Sequence, residues 1–146
     1  MTGGGTLRSP DGEPLSCGID AEVVGDADAV VGGVAAFLED LGAPRGSSVT
    51  IVDGPYRPFG TTEGLAVYLN GTDLPAEVYV AHDVNEFFDR LHEAVGETGA
   101  LQAFWEGTDT TAVYVYGASV EVIREAIAPL LASHPLAEKA RVVQIA

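Results

Sequence analysis

Residues 77–95 read EVYVAHDVNEFFDRLHEAV, and the period of their apolar positions changes partway along. Over Glu77 to Ala81, Val78 and Val80 alternate with Glu77 and Tyr79, the two-residue repeat of a half-buried strand. From Asp83 onward the repeat lengthens: Val84, Phe87, Phe88, Leu91 and Val95 fall on one stripe of a helix. Asp83 is placed to cap that helix, and Glu86, three residues on, is placed to complete a capping box. The stretch therefore predicts a strand feeding a helix, and the rest of the chain is read outward from it.

Upstream, Leu65 to Leu69 alternates in the same way, and Asn70-Gly71-Thr72-Asp73-Leu74-Pro75 separates it from Glu77. An Asn-Gly step favours the positive φ of a hairpin turn, so 65–69 and 77–81 are expected to pair. Asn70-Gly71-Thr72 also matches a glycosylation acceptor, but without a secretion signal it reads as turn chemistry. Val49 to Val52 is a β-branched run that ends at Asp53-Gly54-Pro55, and Tyr56 to Gly64 reads as irregular. Asp28 to Leu41 carries Val30, Val34, Phe37, Leu38 and Leu41 at helical spacing and stops at Gly42 and Pro44. Gly32-Gly33 inside it costs about 1 kcal/mol each relative to Ala, so either the helix is weak there or another element approaches closely. The first 20 residues, with Gly3-Gly4-Gly5, read as a mobile lead-in, leaving residues 21–146 as one α+β domain.

Downstream, Leu101 to Trp105 and Ala112 to Tyr116 flank Glu106-Gly107-Thr108-Asp109 as a second hairpin. Ser119 then caps a helix striped by Val120, Ile123, Ile127, Leu130 and Leu131, and Arg141 to Ile145 closes as a strand. Residues 65–97 and 101–133 share letters as well as order: Gly71-Thr72-Asp73 with Gly107-Thr108-Asp109, and Val78-Tyr79-Val80 with Val113-Tyr114-Val115. This is the pattern of an internal repeat, and also one on which such units converge. From Glu77 the order strand, helix, strand, strand, helix, strand resembles the split βαβ layout of ferredoxin-like domains. The expected fold is α+β: an antiparallel sheet with helices on one face, ferredoxin-like in the C-terminal half, plus an N-terminal helix and additional strands. Two strand–strand–helix units sharing one sheet is the alternative.

Alternation assigns Leu65, Val67, Leu69, Val78, Val80, Val113 and Val115 to the core face. The opposite face receives Tyr68, Glu77, Tyr79, Tyr114 and Tyr116, with Trp105 or Phe104 according to register. Such an aromatic face is either covered by the N-terminal helix or receives a partner, for Tyr and Trp anchor interfaces at small entropic cost.

The chain of 146 residues carries 22 acidic and 7 basic side chains, a formal net charge of -15. That charge argues against nucleic acid, whose phosphates it repels, and the basic residues are scattered rather than gathered in a stripe. Ser9 to Pro44 holds eight acidic residues and no Lys or Arg, a block that serves solubility or steers a basic partner. No apolar run marks a signal peptide or membrane span, and a single cysteine, Cys17, precludes an intramolecular disulfide, so a cytoplasmic location is expected. The preference for Arg over Lys, with abundant Ala, Gly, Val and Asp, points to a bacterial source of high GC content.

Chemical motifs are sparse. His82-Asp83, His92-Glu93, His134 and Cys17 have no metal-ligand spacing, and no nucleophile elbow or phosphate loop occurs. Neither a metal nor a cofactor is expected, and the balance leans away from an enzyme; were there one, Arg57, Glu63, Trp105 and Glu106 are the groups to test. The expected function is that of a small acidic binding protein that masks a basic macromolecule, as inhibitors and immunity proteins do. Tyr68, Tyr79, Trp105, Glu106, Tyr114 and Tyr116 would form its contact surface. A second copy of the chain is the other expected partner. The alternatives are a homodimeric small-molecule binder or enzyme, and a structural subunit of a larger assembly.

Overall fold

The computed structural model describes residues 1–146, which divide into two compact units, Met1–Thr61 and Thr62–Ala146. The sequence reading has its break after residue 20 instead. Each unit is α+β with antiparallel strands, and the chain holds four α-helices in all.

In the N-terminal unit, β1 (Gly3–Arg8) and β2 (Pro14–Asp20) form an antiparallel hairpin. The stretch expected as a lead-in is thus paired strand, though every residue of both strands is exposed. Helix α1 (Ala27–Asp40) starts one residue before the expected Asp28, because Asp26 accepts the free N–H groups of Asp28 and Ala29 and so caps it. It ends in a Schellman turn: Gly42, at φ 86°, donates its N–H to Glu39, and Ala43 donates to Leu38. Nothing lies within 4 Å of a Cβ added at Gly32 or Gly33, so these glycines serve no close approach and simply weaken the helix. Strand β3 (Ser47–Thr50) pairs with β4 (Tyr56–Phe59), which occupies part of the stretch read as irregular. Helix α1 is tied down by polar contacts: Arg57 bonds Asp28, and Glu39 accepts the Gly60 N–H at 2.9 Å.

The C-terminal unit is one four-stranded antiparallel sheet of β5 (Glu63–Asn70), β6 (Gly99–Glu106), β7 (Thr110–Gly117) and β8 (Arg141–Gln144). Its neighbour order is β6-β7-β5-β8. The expected hairpin between 65–69 and 77–81 does not form. Residues Ala76–Ala81 are instead a short helix, α2, entered from Pro75, and β5 pairs with β7 and β8. The Asn70 side chain accepts the N–H groups of Thr72 (3.0 Å) and Asp73 (2.6 Å), which closes an Asx turn in place of a tight hairpin. Pro75 then supplies a helix-compatible φ of -53°, and Ala76 and Glu77 are good helix formers. The same letters, Val-Tyr-Val, are therefore helical at 78–80 and extended at 113–115.

Helices α3 (Val84–Val95) and α4 (Val120–Ser133) follow their predicted stripes. Phe87, Leu91 and Val95 from α3 and Val120, Ile123, Ile127 and Leu130 from α4 are buried with Leu65, Val67, Leu69, Val113 and Val115 of the sheet. Val78 joins this core from α2, whereas Val80, expected inside, is 88% exposed. Gly99 and Gly117 sit opposite each other where β6 meets β7, and the Ile123 side chain occupies the space that their missing Cβ atoms leave.

Candidate functional site

Pairing register settles which aromatic residues share a surface. Tyr68, Tyr114 and Tyr116 alternate with the buried aliphatics of β5 and β7, so they lie on the face opposite α3 and α4. A bulge between Leu101 and Ala103 places Trp105 opposite Ala112 and Phe104 opposite Val113. Trp105 thereby joins the tyrosine face, while Phe104 turns to the helix side, where it is 63% exposed and tilts against Phe88. The four aromatic residues of this face are half-buried.

Three of the four rings rest against a named neighbour. Tyr116 lies over Gly64, where an added Cβ would come within 2.6 Å of its ring. The Trp105 indole folds back over Gly107 of its own turn, and Tyr68 lies under the Arg141 guanidinium, 4.5 Å from the ring centre. Glycine under an aromatic ring fixes that ring without a clash, so the face is shaped by backbone as much as by side chains. Glu106, at the end of β6, is exposed but pairs with Thr111, so alternation places it on the helix side with Phe104 and not on the tyrosine face where it was expected.

Two residues expected on this face belong elsewhere because 76–81 is helical. Glu77 stands in the first turn of α2. Tyr79 turns its hydroxyl toward the preceding loop, where it accepts the Leu74 N–H at 3.0 Å and reaches the Asn70 carbonyl at 3.3 Å. Of the groups singled out for catalysis, Arg57 is held by Asp28, and Glu63 accepts the Val120 N–H at 2.8 Å, capping α4 across the sheet. Such a capping role is invisible in the sequence, since 57 positions separate donor from acceptor.

A second feature was not expected from the sequence: a groove of about 620 Å³ where the ends of β5 and β7 meet the α2–α3 junction. Buried Leu69 and Leu136 lie at its base, and Asn70, Tyr79, His82, Asp83 and Glu86 contribute polar groups. Its acidic edge arises from an incomplete cap. Asp83 accepts the Asn85 N–H at 2.8 Å, but Glu86 does not return the expected bond and makes no hydrogen bond or ion pair within the chain.

Behind the groove His134 is 5% exposed, its ring 5.3 Å from that of His82 and 5.0 Å from that of Phe87. Its Nδ1 accepts the Leu136 N–H at 3.2 Å and so caps the turn Pro135–Ala137. Burial pushes the His134 pKa down, and the nearby Arg90 and His82 add to this, with Glu86 opposing. No three His, Cys, Asp or Glu side chains gather as they would around a metal ion, and no helix is long and apolar enough to cross a membrane.

Comparison of the chain with protein-family models, with curated proteins and with solved structures finds no match.

Proposed function

We propose that this chain is a small, acidic, non-catalytic bacterial protein of the cytoplasm that binds and masks a basic macromolecular partner, as an inhibitor or immunity protein does. The observation that carries the reading is the gathering of Tyr68, Trp105, Tyr114 and Tyr116 on one sheet face in a chain of net charge -15. Half-buried aromatic rings supply binding area whose conformational entropy is already largely lost. The charge supplies long-range attraction to a basic surface and repels both nucleic acid and a second copy of the chain. For the C-terminal unit we favour a ferredoxin-like classification. It is supported by the strand order β8-β5-β7-β6, all antiparallel, with α2 and α3 in the first crossover and α4 in the second.

The test is capture from the source cell at low salt with the intact chain and with Trp105→Ala. A stoichiometric basic polypeptide, released by salt and lost with Trp105→Ala at unchanged unfolding temperature, is the expected result. Absence of any companion, or equal capture by the variant, would overturn the reading.

A further inference from the structure

We infer that Asn70-Gly71 is a site of self-modification, deamidation to aspartate and isoaspartate, and that the folded end of β5 gates the reaction. The chemistry needs only this dipeptide and water. The Gly71 backbone nitrogen, on losing its proton to solvent, attacks the Asn70 side-chain carbonyl carbon. A new N–C bond forms, the bond to Nδ2 breaks, and that nitrogen takes a proton from solvent and leaves as ammonia. Water then opens the cyclic imide. Addition at the side-chain carbonyl leaves aspartate, and addition at the backbone carbonyl leaves isoaspartate, whose main chain runs through the former side chain. Glycine at 71 favours the attack, since it has no side chain to crowd its own nitrogen. The fold also favours glycine there, for an added Cβ would lie 3.1 Å from the Asp109 carbonyl.

In the folded chain both reacting groups are committed elsewhere. The Gly71 N–H donates to the Asp109 carbonyl at 2.9 Å. Asn70 Oδ1 accepts the N–H groups of Thr72 and Asp73, and Nδ2 donates to the Asp73 carboxylate at 3.2 Å. Asn70 is extended, paired with Thr110 at the end of β5. The Tyr79 hydroxyl clamps the loop, donating to the Asn70 carbonyl at 3.3 Å while it accepts the Leu74 N–H. The carboxamide can swing onto the Gly71 nitrogen only when this end of the β5–β7 pair opens. The products do not close again in the same way. Aspartate at 70 sets a second carboxylate against Asp73, and isoaspartate adds a carbon to the main chain, which takes the Gly71 N–H out of register with Asp109.

The experiment is peptide mapping by mass spectrometry of the full chain, aged folded and aged in unfolding urea. The other asparagine, Asn85, is the internal control, because Glu86 rather than glycine follows it. In urea Asn70 should convert well ahead of Asn85, to aspartate and isoaspartate together. In the folded chain its conversion should be slower by about tenfold or more. Tyr79→Phe removes the hydroxyl clamp and should raise the folded rate about three- to tenfold, as expected from one lost hydrogen bond at an opening site. That rise should run in step with Gly71 amide exchange and leave the rate in urea unchanged. Asp73→Ala, at an exposed side chain, should act in the same direction by freeing Nδ2. Equal folded and unfolded rates would remove the gate, and Asn85 keeping pace with Asn70 in urea would remove the site. Faster Gly71 exchange without faster Asn70 conversion in Tyr79→Phe, or a folded rate that follows global unfolding instead of Gly71 exchange, would also overturn the assignment.

Discussion

Phe87 on α3 is fully buried, while Phe37 on α1 is 62% exposed, although both sit on apolar stripes of helical period. The difference lies in what each helix has to pack against. Strands β5 and β7 present Leu65, Val67, Val113 and Val115 on one face, so α3 and α4 close over a matching apolar surface. The N-terminal unit offers only two-stranded hairpins, one opening with Gly3-Gly4-Gly5, and of its apolar residues only Val31 is buried. A two-stranded hairpin is marginal by itself, and a stripe without a complement removes little area from water. The two units therefore differ in how they hold together: the C-terminal one by hydrophobic burial, the N-terminal one by caps, turns and the Arg57–Asp28 and Glu39–Gly60 contacts.

That contrast is sharpest in a pair of matched truncations. Phe87→Ala should cost about 3–5 kcal/mol in urea unfolding, as expected for a large residue removed from a closed core. A loss below about 1 kcal/mol would mean that the core is not the source of stability. The N-terminal unit should instead be most sensitive at its turns. Gly60 has φ 96°, and a Cβ there runs into the Pro44 carbonyl. Gly60→Ala is expected to cost about 1–3 kcal/mol, seen as faster amide exchange at Gly60 and Thr61 with the main unfolding transition unmoved. A shift of that transition would show the two units to be energetically one.

His134 tests the C-terminal core at its single buried polar side chain. Its folded pKa lies below the unfolded value near 6.5, so the folded state favours the neutral ring and the unfolded chain protonates first. The stability it contributes is fully present above pH 6.5 and is lost as pH falls from there toward the folded pKa, because a proton on Nδ1 removes the acceptor for the Leu136 N–H. His134→Asn keeps an acceptor there and should flatten this part of the pH profile in thermal unfolding; an unchanged profile would place the titration elsewhere. The smallest effect is expected at Phe37→Ala, within about 0.5 kcal/mol, since its side chain is mostly in water already.

The parts of this fold legible in the sequence are those governed by neighbours along the chain. The caps at Asp83 and Ser119 and the stripes of α3 and α4 follow from spacing and from short-range hydrogen bonding. So do the alternation of β5 and β7 and the strand at Arg141–Gln144. Three of the four aromatic residues of the sheet face, Tyr68, Tyr114 and Tyr116, followed from that alternation; Trp105 waited on the bulge at Leu101/Ala103.

By itself, then, the sequence determined an acidic α+β chain with antiparallel strands, two well-capped helices and their apolar stripes, because period and capping are local physics. The tertiary structure alone decided the rest. It made Val78-Tyr79-Val80 helical while Val113-Tyr114-Val115 stayed extended, since β5 gains two sheet partners, β7 and β8, that no nearby turn could supply. It left the stripe of α1 without a complement, and it assigned Glu63 to the end of α4 while releasing Glu86 to the groove. Each of these depends on which distant surface arrives, and burial and hydrogen bonding between distant segments are properties of the assembled chain rather than of any window along it.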